Sequence, residues 1–101
     1  MLFLFVLAES VELTFTGQSP RLLCGVMAIE SNAVPIDWMY LESENAAHQK
    51  ISVNGYVSSD RYEVDGSSLV INEVKASDAG IYICGHGSLL YDRVQLNVTG
   101  M

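Results

Sequence analysis

The stretch Asp78-Ala79-Gly80-Ile81-Tyr82-Ile83-Cys84 governs the reading of the whole chain. A turn runs from Lys75 to Gly80, and a strand follows from Ile81 to Gly85. Side chains alternate along a strand, so Tyr82 and Cys84 share one face while Ile81 and Ile83 share the other. Upstream, the sole tryptophan, Trp38, lies in a second run, Ile36 to Leu41. The only other cysteine, Cys24, lies in a third, Arg21 to Met27. Two cysteines with no Cys-x-x-Cys and no histidine-rich partner set leave two readings open. They form one disulfide in an oxidising compartment, or they are two reduced core thiols.

The rest of the chain repeats the same grammar of short alternating runs between turn residues. Val11 to Phe15 alternates, and Gly17 to Pro20 breaks it. Glu42 to His48 is a polar turn in which Glu44 reads as a solvated charge. Lys50 to Val53 and Tyr56-Val57 flank Asn54-Gly55, a strong hairpin signal, and Asp65-Gly66 after Tyr62-Glu63-Val64 is a second one. Ser68 to Val74 points Leu69, Ile71 and Val74 inward, and a last strand lines Val94, Leu96 and Val98 along one face. About nine strands in one domain suit an all-β, two-sheet sandwich.

A chain of 101 residues holds one domain, and at 50% hydrophobic it can bury a core. Twelve acidic against five basic residues leave a net charge of −7. That balance speaks against nucleic acid, whose phosphates need clustered Lys and Arg. It also speaks against an anionic membrane surface. The longest apolar run, residues 1–8, is too short to span a bilayer and reads as a signal remnant or a first strand. Residues 9–101 form the domain proper, and any membrane anchor is expected beyond these residues. His48 and His86 have no ligand-spaced neighbours, and no nucleophile motif occurs, so no catalytic set, metal or cofactor is expected.

Cys24, Trp38 and the Asp78-to-Cys84 stretch together resemble the immunoglobulin superfamily pattern Cys…Trp…Asp-x-Gly-x-Tyr-x-Cys. Gly17-x-Ser19 ahead of Leu23-Cys24 is similar to the family's entry into its second strand. Arg61 stands where variable-type (V-type) domains place the arginine that pairs with the aspartate, here Asp78. The resemblance runs from about Glu9 to Val98. It implies a Greek-key sandwich whose Cys24–Cys84 disulfide pins the two sheets. Closing such a loop of roughly 60 residues contributes about 4 kcal/mol in the chain-entropy picture. It further implies that Trp38 packs on the disulfide and that the Tyr82 hydroxyl bonds back to nearby backbone. The interval from Trp38 to Cys84 leaves space for the two extra strands of a V-type domain, with an intermediate-type domain as the alternative. One departure stands out. Leu90, Tyr91 and Arg93 occupy the places of the Phe-Gly-x-Gly residues whose glycines allow a bulge, so a last strand without that bulge is expected, and a rearranging antigen receptor is disfavoured.

The same alternation that turns Trp38 and Cys84 inward turns Met39, Leu41, Ile81 and Ile83 outward onto one sheet face, with Ile51 or Val53 beside them. Leu89, Leu90 and Tyr91 lie near its top. Contiguous outward apolar groups mark interfaces, and by resemblance this is the face V-type domains use for dimerisation and ligands. The expectation is therefore an extracellular, cell-surface or secreted recognition domain of an immune-type receptor. It would contact a second copy or another V-type domain through Met39, Leu41, Ile81, Ile83, Leu90 and Tyr91. The alternatives are homophilic adhesion and a secreted domain that binds microbial surface molecules. A second candidate surface is the loop end, residues 28–35, 54–59 and 85–90. Asn97-Val98-Thr99 is an N-glycosylation sequon.

Overall fold

Turn chemistry sets where the strands begin and end. Asn54 and Gly55 take φ of 52° and 83°, as a two-residue type I′ turn requires. They join β4 (Gln49–Val53) to β5 (Tyr56–Val57). A second hairpin joins β6 (Tyr62–Asp65) to β7 (Ser68–Ile71). Its turn is Gly66-Ser67, one residue later than the sequence suggests, because Asp65 still pairs with Ser68. The structure is a computed structural model that describes residues 9–24, 36–86 and 89–100, without the side chains of residues 9, 86 and 89–91. The remaining strands are β1 (Glu9–Phe15), β2 (Arg21–Leu23), β3 (Asp37–Leu41), β8 (Gly80–His86) and β9 (Leu89–Thr99). One 3-10 turn, Ala76–Asp78, precedes β8. The expectations placed on residues 1–8 and 28–35 lie outside the described residues.

The strands form two sheets, β1-β9-β8-β3-β4-β5 and β2-β7-β6. The chain changes sheet between β1 and β2, β2 and β3, β5 and β6, and β7 and β8, which is Greek-key wiring. Both extra strands after the tryptophan strand, β4 and β5, join the larger sheet, as the V-type arrangement requires. Between the sheets lie Leu22, Ile36, Trp38, Leu69, Ile71, Val74, Tyr82, Val94 and Leu96, all buried. Cys24 and Cys84 are joined by a disulfide through this core, with their Cα atoms 5.9 Å apart.

Three local findings differ from, or resolve, the sequence reading. The β3–β4 ladder pairs Met39 with Lys50 and Trp38 with Ser52, so β4 carries Ile51 as an extra residue. That step sends Ile51 into the core and leaves Val53 exposed. Farther along, β8 pairs Cys84 with Asp92 and Gly85 with Leu90. The last strand therefore does step by one residue, at Tyr91, without the family's glycines on that strand; Gly85 stands on the facing strand at the step. Finally, β1 runs parallel to β9, with Val11 opposite Gln95, Leu13 opposite Asn97 and Phe15 opposite Thr99. This register turns Thr14 inward and leaves Val11, Leu13 and Phe15 exposed at 56%, 73% and 50%. Gln18 fastens the end of β1, accepting from the Thr14 hydroxyl and the Phe15 N–H, both at 3.1 Å.

Candidate interaction surface

The outer face of the larger sheet is aimed by the corner that launches β8. Asp78 is the hub of that corner. Its carboxylate takes two hydrogen bonds from the Arg61 guanidinium, at 3.0 and 2.6 Å, and a third from the Lys75 N–H at 2.7 Å. Burial alone would push the Asp78 carboxyl up, but the Arg61 hydrogen bonds, the Lys75 N–H and the nearby positive charges outweigh it and hold the carboxyl below its ordinary value. The Tyr82 hydroxyl donates to the Asp78 carbonyl at 2.6 Å, and burial drives its pKa strongly upward. Tyr40, which the sequence reading passed over, makes a matching tie: its hydroxyl donates to the Ala79 carbonyl at 2.6 Å, and its ring lies 5.1 Å from that of Tyr82. Gly80 sits under both. A Cβ there would meet the Leu41 carbonyl oxygen and the Tyr40 ring at 2.7 Å, closer than real side chains come. Only glycine lets β3 and β8 approach at this corner.

With β8 fixed there, its pairing with β3 places Met39 against Ile83 and Leu41 against Ile81. Leu41, Ile81 and Ile83 form a second apolar cluster on the outer face, with Met39 packed on it. They point outward, as alternation demands, yet they are only 4%, 8% and 6% exposed. These three residues are thus a small core of their own rather than a bare patch. Glu44, in the β3–β4 turn, pairs with the Arg93 guanidinium of β9. Since β8 lies between β9 and β3, and Arg93 is paired with Ile83, this ion pair crosses β8 over the isoleucines. Glu44 is therefore not a plain solvated charge; its partner lies 49 residues along the chain and leaves no local signal.

Beyond the cluster the same face opens. Val53 pairs with Tyr56 across the β4–β5 hairpin, so the two share a side. Val53 is 42% and Tyr56 82% exposed. Asp37, which precedes Trp38, accepts from the Asn54 N–H at 2.8 Å and fastens the hairpin to β3. Leu90 and Tyr91 lie in β9, but their side chains are outside the described residues. Asn97 is exposed on β9. Of the three loops at the sandwich end, residues 54–59 are described; residues 28–35 and the side chains of residue 86 and residues 89–90 are not. Among the described residues no three His, Cys, Asp or Glu side chains converge as metal ligands. No described helix is long and apolar enough to cross a membrane.

No family model matches the sequence, and no curated protein matches it. Solved structures do match the fold. Drosophila Semaphorin 2a superposes over 94% of this chain with a TM-score of 0.69 and 19% identity. The extracellular domain of the voltage-gated sodium channel β4 subunit superposes over 100% of it, with a TM-score of 0.67 and 20% identity. An extracellular fragment of novel immune-type receptor 11 from Ictalurus punctatus superposes over 94%, with a TM-score of 0.69 and 18% identity. This chain spans 15% of the semaphorin chain, but 99% of the sodium channel chain and 88% of the receptor fragment. With its sheet order, disulfide and tyrosine corner, the fold is that of a V-type immunoglobulin domain.

Proposed function

We propose that this domain is an extracellular protein-recognition module of an immune-type receptor, and that it self-associates through the outer face of its larger sheet. The observation that carries this reading is the set of apolar side chains that face holds: Leu41, Ile81 and Ile83, half-buried Met39, and exposed Val53 and Tyr56, with the charged Lys50 standing opposite Met39 between them. The outward positions of a sheet in a free-standing domain are ordinarily polar. The contact centre lies at Met39, Val53 and Tyr56 rather than at the isoleucines, which a partner could not reach without displacing the Arg93–Glu44 pair. The disulfide supports an oxidising, extracellular setting. Homophilic adhesion is the alternative function for the same surface. It draws support from the fold shared with the sodium channel β4 subunit, whose parallel homodimers have a role in cell–cell adhesion.

Light scattering after size exclusion, across a concentration series, tests the proposal. The wild type is expected to dimerise, and Tyr56→Arg and Val53→Glu to be folded monomers. Both positions are exposed, so neither change disturbs the core; Ile83→Arg would bury a charge and confound folding with association. A wild type that stays monomeric at every concentration overturns self-association.

A further inference from the structure

The larger sheet has a second exposed apolar feature at its opposite edge. Val11, Leu13 and Phe15 of β1 form a stripe on the outer face, and β1 is the end strand of the sheet among the described residues. Parallel pairing puts partners on the same side, so the neighbours of this stripe on β9 are Gln95, Asn97 and Thr99. All six positions are uncharged. Asn97 and Thr99 are the acceptor and hydroxyl positions of the sequon. Leu13, the most exposed of the three, stands directly opposite Asn97, with Val11 and Phe15 on its diagonals.

We propose that the β1 stripe is the seat of an N-linked glycan carried by Asn97. This rests on the extracellular reading, since the modification is made in the secretory pathway. Asn97 is exposed, and its side-chain oxygen accepts from the Gln95 amide at 3.4 Å. That bond orients the amide and leaves its nitrogen as the atom to be modified. In the transfer, Asn97 Nδ2 bonds to the anomeric carbon of a lipid-diphosphate-linked oligosaccharide. The carbon–oxygen bond to the diphosphate breaks, the lipid diphosphate leaves, and the amide gives up one proton. The first sugars then lie within one strand spacing of Leu13, roughly 5 Å away, and their C–H faces cover the apolar stripe. An exposed apolar edge strand is an aggregation template, and a bulky, solvated glycan over it removes that hazard.

The full chain, secreted from a glycosylating eukaryotic host, tests this. Intact mass before and after enzymatic deglycosylation reads occupancy, and thiol alkylation on the same sample reads the disulfide. The expected result is one glycan, lost in Asn97→Gln, with both cysteines blocked. An intact disulfide without a glycan overturns the glycan seat and leaves the extracellular reading standing; free thiols overturn both. Binding of an apolar fluorescent dye then reads coverage. Asn97→Gln and the deglycosylated protein should bind several-fold more dye than the glycoprotein, and Leu13→Ser combined with Phe15→Ser should abolish the difference. A glycoprotein that binds as much dye as Asn97→Gln overturns the proposal. So does a glycosylated dimer that Leu13→Ser dissociates, which would assign the stripe to a second copy.

Discussion

Both faces of the larger sheet carry apolar clusters, and the two are closed in different ways. On the inner face, Trp38, Tyr82 and Cys84 meet a second sheet, a disulfide and the Arg61–Asp78 corner. On the outer face, Leu41, Ile81 and Ile83 come from the same strands, one residue out of phase, and the Arg93–Glu44 pair crosses them. The two ion pairs mirror the contrast. Asp78 has a side chain 7% exposed and takes three hydrogen bonds, whereas Glu44 is 68% exposed. The difference teaches that alternation assigns a side chain to a face, but what lies over that face decides whether its burial is permanent or can be exchanged for a partner.

Breaking the inner closure should have the largest effect. Replacing both Cys24 and Cys84 by Ala is expected to cost about 4 kcal/mol, the range for a long disulfide loop, read as a fall in the denaturant midpoint. The corner comes next. Asp78→Asn leaves the Arg61 guanidinium without its carboxylate and should cost about 3 kcal/mol. Because the folded Asp78 carboxyl titrates below its ordinary value, its contribution is fully present above about pH 4. It is lost as pH falls through the depressed value. Urea melts of wild type and Asp78→Asn should therefore differ at pH 7 and converge in strong acid. A gap that persists unchanged into strong acid would remove the electrostatic account of the corner.

The outer closure should matter least to stability. Arg93→Gln is expected to cost under about 1 kcal/mol, since its partner is mostly solvated. If this pair merely screens the isoleucine cluster, the same change should raise apolar dye binding while the melting curve barely moves. A loss as large as that of Asp78→Asn would make the outer face a second permanent core and erase the contrast.

What the sequence alone determined is the inner half of this protein. Cys24, Trp38, Tyr82 and Cys84 announce it because together they resemble the immunoglobulin pattern at its spacing, and the same resemblance implies the Arg61–Asp78 pair. The phase of β3 and β8 was equally legible, since Met39, Leu41, Ile81 and Ile83 had to oppose the core residues. Only the tertiary structure decided the rest, because it depends on register and on partners remote in the chain. The extra residue in β4 sent Ile51 inward and Val53 outward. Parallel pairing with β9 exposed Val11, Leu13 and Phe15, although alternation within β1 was compatible with either face. Arg93 reached across β8 to Glu44, and Tyr40 tied the corner from a neighbouring strand. A one-residue step in a ladder exchanges the faces of every side chain beyond it, and the energy that selects the step lies in contacts that no local run of residues displays.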